Sequence, residues 1–352
     1  SADPGPAHLN MELGVPLVPD AGPVTAPPPV APVRVGGRNR PDPVALPGTP
    51  RTIVVCGDAD LATGRAAREL AGAAGLPLLA EPSSNARAGA NALGAGRVLL
   101  AGPLAGQVER VLVFGRPNLS RPVTALLSRS DVEVVVVTAT PDYVDPGWRV
   151  RLVAGAVAVE PGPAEWLGAW QAADAEASAH PGPPAAGGLS GPELARLVVG
   201  SVPAGQALVL GSSNAVRDAD LAPVRPDPGP VYANRGLSGI DGTLATAAGV
   251  ALASGTPTTL LCGDLTFAHD AGSLAIGPGE PRPALRIVVA DDRGGSIFAT
   301  LEYGQDRFAD AFERVFATPT GLYLVSVATG FGVPARRVAT AAGVAGALAE
   351  PF

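Results

Sequence analysis

Thr258-Thr259-Leu260-Leu261-Cys262-Gly263-Asp264-Leu265-Thr266 is an apolar run that stops in Gly-Asp. Its length and threonine-led start predict a buried strand, and the glycine and acid that follow predict a turn into a helix. A second run of the same kind, 285–290, leads into Asp291-Asp292-Arg293-Gly294-Gly295. In open parallel sheets ligands sit beyond the carboxyl ends of the strands, so these two loops are where chemistry is expected. On neighbouring strands, Asp264 and Asp292 would offer hard oxygen donors to a divalent cation, while Gly263 and Gly294 would let backbone approach a diphosphate. The cue is generic. Cys56-Gly57-Asp58 also ends an apolar run, with Asn85 downstream, and Asp58 there reads as a helix N-cap.

Working outward, strands are expected at 207–210 and 231–233 and helices at 192–199 and 241–253, around the two runs already quoted. Upstream, β-rich runs at 52–56, 111–114 and 132–138 alternate with helical stretches at 61–74, 123–127 and 163–178. That alternation predicts an α/β fold of two doubly wound parallel-sheet domains in series: a central one over 51–179, a linker at 180–189, and a second over 190–352. Trp166 and Trp170 stand four apart on one helix face, a packing arrangement. The proline-dense stretch 20–50 predicts a linker without regular elements, and 1–19 reads as the tail of a preceding domain. With Ser1 at one end and Phe352 at the other, the sequence reads as a piece of a longer chain.

Composition narrows the function classes. The 352 residues carry 16% charged side chains and a net charge of -7. Lysine is absent, so every fixed positive charge is an arginine, and no basic tract is present to follow a nucleic-acid backbone. Cys56 and Cys262 each precede Gly-Asp, which predicts buried strand ends rather than a disulfide framework, and with it a reducing, cytoplasmic setting. The longest apolar runs, such as 132–139, are too short to span a bilayer, and no signal-peptide pattern is seen.

Between these elements lies Asn234-Arg235-Gly236-Leu237-Ser238-Gly239-Ile240-Asp241-Gly242-Thr243-Leu244-Ala245-Thr246-Ala247-Ala248-Gly249. Together with Gly211-Ser212-Ser213-Asn214-Ala215-Val216-Arg217, Gly263-Asp264-Leu265 and Gly294-Gly295-Ser296-Ile297-Phe298, it closely resembles the 2-succinyl-5-enolpyruvyl-6-hydroxy-3-cyclohexene-1-carboxylate synthases of menaquinone biosynthesis, a thiamine-diphosphate enzyme family. Weaker similarity runs through Arg116-Pro117-Asn118-Leu119-Ser120-Arg121-Pro122 and Gly5-Pro6-Ala7-His8-Leu9-Asn10.

The resemblance implies condensation of 2-oxoglutarate with isochorismate, with loss of carbon dioxide, dependent on thiamine diphosphate and Mg2+ or Mn2+. It also implies a homodimer or dimer of dimers. By motif position, Ser213, Arg217, Arg235 and Arg121 would face substrate. Ser238, Gly239, Ile240, Gly263, Asp264, Leu265, Thr266, Asp292, Gly294, Ile297 and Phe298 would line the cofactor, Ile240 as the residue that props its bent conformation. Asp264, Asp292 and the Gly294 carbonyl would hold the metal, with Asp291 the choice if the interval is counted forward from Asp264.

The sequence departs from the family in having Asp291-Asp292-Arg293 where asparagine-rich residues are usual. By the same resemblance, this sequence is expected to be without the family's first domain, which would supply the glutamate that activates the cofactor. Glu81 and Glu302 do not match that glutamate, so this stretch alone is expected to be inactive. Two other readings share the features: a different thiamine-diphosphate 2-oxo acid decarboxylase or synthase, and a non-catalytic module binding an anion through Arg116 and Arg121.

Overall fold

The computed structural model describes residues 42–48, 50–140, 142–179 and 188–352. The expected tail at 1–19, the Gly5 to Asn10 similarity, most of the 20–50 stretch and most of the 180–189 linker lie outside the described residues.

The first unit runs β1 (Val44–Leu46), β2 (Thr52–Cys56), α1 (Leu61–Ala73), β3 (Leu78–Ala80), α2 (Gly96–Leu99), β4 (Arg110–Phe114), α3 (Arg121–Leu127), β5 (Glu133–Val137), β6 (Val150–Ala154), β7 (Val157–Val159) and α4 (Ala164–Ala179). Its main sheet has the order β3-β2-β4-β5-β6, with every pairing parallel. Strand alternation sets the two cores: Val54 and Cys56 face one side, Ile53 and Val55 the other. Both faces are covered, which is why these strands read as unbroken apolar runs. On the second side α4 seats Trp166 against Trp170, ring centroids 5.6 Å apart and nearly perpendicular, with Trp166 Nε1 donating to Thr52 O at 2.9 Å. The tryptophans pack, as their spacing implies.

Helix α1 begins where Asp60 accepts from Thr63 N at 2.7 Å, so Asp60 is the cap. Asp58, expected in that role, instead pairs through its backbone with Arg116. The chain reaches the helix two residues later than the Gly-Asp pattern suggests, because Gly57 and Asp58 are still bonded to the end of β4. The expectation of no regular element before residue 50 is also corrected: β1 pairs in parallel with β7.

The second unit runs α5 (Gly191–Ser201), β8 (Ala207–Leu210), α6 (Asn214–Ala219), β9 (Val231–Ala233), α7 (Thr243–Ser254), β10 (Thr258–Gly263), α8 (Asp264–His269), β11 (Leu285–Ala290), α9 (Ala309–Phe312), α10 (Leu324–Gly330) and α11 (Ala341–Ala349). Ser190 caps α5 by accepting from Glu193 N, with Pro192 in the first turn. The sheet order is β11-β10-β8-β9, again all parallel. From β8 the chain steps to β9 on one side, then crosses back to β10 on the other. The β8/β10 boundary is therefore the topological switch point, where strand-end loops diverge and leave a crevice. Helices α5, α6 and α11 cover one face, and α7, α8 and α10 the other. The fold is α/β, two main parallel sheets flanked by helices, with the two-stranded β1/β7 pair beside the first.

Both cysteines are buried free thiols at strand ends, as expected. Burial pushes the Cys262 thiol up to about 12 and raises Cys56 as well, so neither is a nucleophile. Among the described residues no helix is long and apolar enough to cross a membrane.

Candidate functional site

Loops from all four strands of the second sheet meet at its carboxyl edge. After β8 come Ser213 and Arg217, after β9 Arg235 and 238–240, after β10 Asp264, and after β11 Asp292, Gly294, Ile297 and Phe298. Parallel pairing brings the β10 and β11 loops side by side, with Gly263 opposite Ala290.

Asp264 is 5% exposed. Burial raises its pKa; the bond from Leu265 N at 2.7 Å and one from the Gly294 amide oppose the rise, while the charges of Asp292 and Asp291 add to it. Two nearby like charges at a buried carboxylate are what a bound cation would relieve. Asp292 accepts a short bond from Ser296 Oγ, which in turn accepts from Asn214 Nδ2 at 2.7 Å, tying the β11 loop to the β8 loop. Asp291 instead turns toward Arg337, 3.7 Å away. Among the described residues no three His, Cys, Asp or Glu side chains converge as a metal cage, so a cation here would draw on backbone or ligand oxygens as well.

The backbone around these carboxylates takes unusual forms. Arg293 has φ +64° and Gly294 φ +137°, and a Cβ on Gly294 would collide with the Ala317 carbonyl. Ser238 sits at φ +58° in the β9 loop. Left-handed non-glycine residues cost energy and persist only where their surroundings impose them. By contrast, a Cβ on Gly263 would meet nothing, so the space above that residue is open.

The arginines differ from one another. Arg217 is half-buried and donates through Nη1 to Ser213 O at 2.9 Å and Ser212 O at 3.2 Å. Burial, then the like charge of Arg235, disfavours its charged form. Arg235 is 3% exposed. Its Nε donates to Asn118 Oδ1 at 3.1 Å, Nη2 to Asn118 O at 3.1 Å and Nη1 to Ser212 O at 3.3 Å. Asn118 Nδ2 returns a bond to Arg235 O at 3.2 Å. Arg121 is exposed and forms a two-pronged pair with Glu302, at 2.7 and 3.1 Å. That pair joins the first unit to the segment after the β11 loop, so Arg121 does reach this edge. Arg116, the other arginine of the anion-binding reading, pairs with Asp142.

Ile240 is half-buried and Leu237 is fully exposed. Phe298 lies in a one-turn helix and packs against Phe316, ring centroids 5.8 Å apart. Helix α7, which follows this loop, starts just after Gly242 and is capped from a distance: Asp270 accepts from Leu244 N at 2.6 Å and Ala245 N at 3.1 Å.

Several residues that build the site were not singled out in the sequence. Asn214 and Ser296 fall inside the quoted motif blocks, so motif position alone could have flagged them. Asn118 lies in the more weakly similar 116–122 stretch, but its bond to Arg235, like those of Asp270 to α7, joins distant segments and carries no local signal.

Fold and site together define a doubly wound α/β protein whose carboxylate, glycine and arginine loops gather at a switch-point crevice. No protein-family model matches the chain. Among curated proteins, the 2-succinyl-5-enolpyruvyl-6-hydroxy-3-cyclohexene-1-carboxylate synthase of Kineococcus radiotolerans is 50% identical over 98% of this chain. Those of a Nocardioides species and of Paenarthrobacter aurescens are each 45% identical over 99% of it. The chain belongs to this synthase family. It spans 64%, 67% and 64% of the length of these three relatives, respectively.

Proposed function

We propose that the protein, at the length of its relatives, condenses 2-oxoglutarate with isochorismate with loss of carbon dioxide, a step of menaquinone biosynthesis dependent on thiamine diphosphate and Mg2+ or Mn2+. The observation that carries this reading is the contact of the β10 and β11 loops, in which the Gly294 amide meets the buried Asp264 carboxylate beside Asp292. The residues present fit the cofactor. The available donors are oxygens, which suit a hard cation, and the open backbone at Gly263 suits close approach of a diphosphate.

In this reading Asp264, Asp292 and the Gly294 carbonyl hold the cation. Ser238, Gly239, Gly263, Leu265 and Thr266 would hold the diphosphate, and Ile240, Ile297 and Phe298 would pack against the rings. When bound, thiamine diphosphate supplies the nucleophilic carbon at which a 2-oxo acid loses carbon dioxide. The chain's own work is to bind and orient. Both substrates are polyanions, and guanidinium groups pair with carboxylates in two-pronged geometry. Arg217 is fixed by its bonds to 212–213, which aims the rest of its guanidinium. Arg235 is fixed by Asn118 and adds positive charge behind it. Arg121, at the crevice edge, exchanges Glu302 for a substrate carboxylate, and Ser213 offers a hydroxyl. No residue of this chain is assigned the activating glutamate, and the chain by itself is proposed to bind without turnover. The protein is proposed to work as a homo-oligomer in the cytoplasm.

An assay of the protein at its relatives' length decides the matter. Consumption of both substrates should require thiamine diphosphate and a divalent cation. Arg235→Ala should lower kcat/KM by roughly 10- to 100-fold, through loss of the positive charge behind Arg217 and of the bonds that hold Asn118 and Ser212. Unchanged activity in that variant would refute the assignment, and turnover without 2-oxoglutarate would refute the reaction.

A further inference from the structure

Glu81 ends β3 and is 6% exposed. Its Oε1 accepts two backbone bonds, from Asn118 N at 3.0 Å and Leu119 N at 2.9 Å. Its Oε2 is buried and has no hydrogen-bond partner among the described residues. Nearby, Ser120 stands at the N-cap of α3, the position where a serine ordinarily bonds the first turn, yet its hydroxyl makes no capping bond. Ser120 Oγ is likewise buried without a partner. Glu81 and Ser120 line the same cavity of about 20 Å³, together with Arg97 and Asp220. A polar cavity of that size accommodates one water, for which roughly 10–15 Å³ suffices, and a buried water typically makes about three hydrogen bonds.

We propose that this cavity is a binding site for one structural water, which accepts a hydrogen bond from Glu81 Oε2 and engages Ser120 Oγ at the seam between the two sheets. The water completes the two polar groups that the protein leaves open, whose desolvation would otherwise be uncompensated. The arrangement requires Glu81 to carry a proton. With both backbone donors on Oε1, Oε2 is the oxygen that holds it.

The surroundings favour that neutral acid. Burial pushes the Glu81 pKa up to about 8; the Leu119 amide bond opposes this, Asp220 adds to it, and Arg235 and the Asn118 amide oppose it. The other charged groups facing the carboxyl are Arg217, and Arg87 and Arg97 across the cavity; the Cys56 thiol beneath it is neutral. The site also supports the 118–119 turn whose Asn118 grips Arg235, so it stands directly behind the crevice. It does not depend on the proposed reaction.

A high-resolution crystal structure of the chain grown near pH 6 provides the direct test. A density peak within hydrogen-bonding distance of Glu81 Oε2 and Ser120 Oγ is the expected result, and a cavity without density overturns the proposal. A second test reads the proton. Because folding raises the pKa, the unfolding constant of the wild type should gain a component rising up to tenfold per pH unit between about pH 5.5 and 7.5. Glu81→Gln should abolish that component. An identical pH slope in both proteins would mean that Glu81 holds no proton in the folded chain.

Discussion

Replacing Arg87 by methionine keeps most of the side-chain volume and removes every donor, so it isolates what a buried guanidinium does at the seam. Arg87 Nη1 donates to Ala80 O at 3.2 Å and Leu93 O at 3.4 Å, and Nη2 to Gly94 O at 2.8 Å. Nη2 also reaches across to the second unit, to Asp220 O at 3.0 Å and Ala222 O at 2.6 Å. The Asp220 carboxylate lies 3.8 Å from Nη1 and 3.3 Å from Arg97. Burial opposes the charge on Arg87, and Asp220 followed by Asp174 offsets it. Bonds to charged groups contribute about 1.5–3 kcal/mol each, but five on one side chain are not additive. Removing one partner of a buried pair costs about 3–5 kcal/mol, and that sets the expectation. In urea, fluorescence of buried Trp166 and Trp170 reports the first unit, while far-UV circular dichroism reports both. The wild type should unfold with the two signals coincident; Arg87→Met should lose about 3–5 kcal/mol and separate them. A loss under about 1 kcal/mol with coincident transitions would refute the view that Arg87 couples the units.

Trp170→Ala, at a side chain with no exposed surface, should cost about 3–5 kcal/mol in chemical denaturation. Asp218 has its pKa raised to about 6 by burial, against the pull of Arg97 and with the repulsion of Asp292. The folded state therefore holds its proton more tightly, and that contribution to stability is lost as pH rises from about 4 to 6; Asp218→Asn should flatten the profile over this window. Gly294→Ala combines φ +137° with a collision at the Ala317 carbonyl, so it should abolish the thermal shift produced by magnesium thiamine diphosphate. A retained shift would show that the β11 loop can move without losing the site. Arg121→Ala should leave the unfolding midpoint unchanged, since both it and its partner Glu302 are exposed and the pair is screened.

The second sheet was legible because its strands are buried runs with their own punctuation: 207–210, 231–233 and 285–290 match β8, β9 and β11. Gly263 extends β10 one residue past the expected end. Strands β1, β3, β6 and β7 have no counterpart among the expected runs. Three of them are three residues long, and β6 exposes Arg151 and Val153, so all four owe their strand state to pairing rather than pattern. The seam was beyond reach for a similar reason. Asn85, at φ +56°, uses its side-chain amide like a strand, accepting from Val231 N at 2.9 Å and donating to Val231 O at 3.2 Å. Glu81 looked unremarkable beside Pro82, and only burial reveals its unpaired oxygen. Glycine and aspartate at strand ends point to the candidate-site loops but equally to Gly57-Asp58, so only the motif resemblance separates the two. How Arg235 is held was not readable, since Asn118 comes from the other unit.

The central claim is that the β10 and β11 loops hold a cation and a diphosphate together. Calorimetric titration of thiamine diphosphate into the chain, with and without Mg2+, tests it directly. Binding should weaken at least about tenfold, or 1.4 kcal/mol, when Mg2+ is omitted, and equally when Asp264 is replaced by alanine. Binding that ignores Mg2+, or that survives Asp264→Ala unchanged, would contradict it.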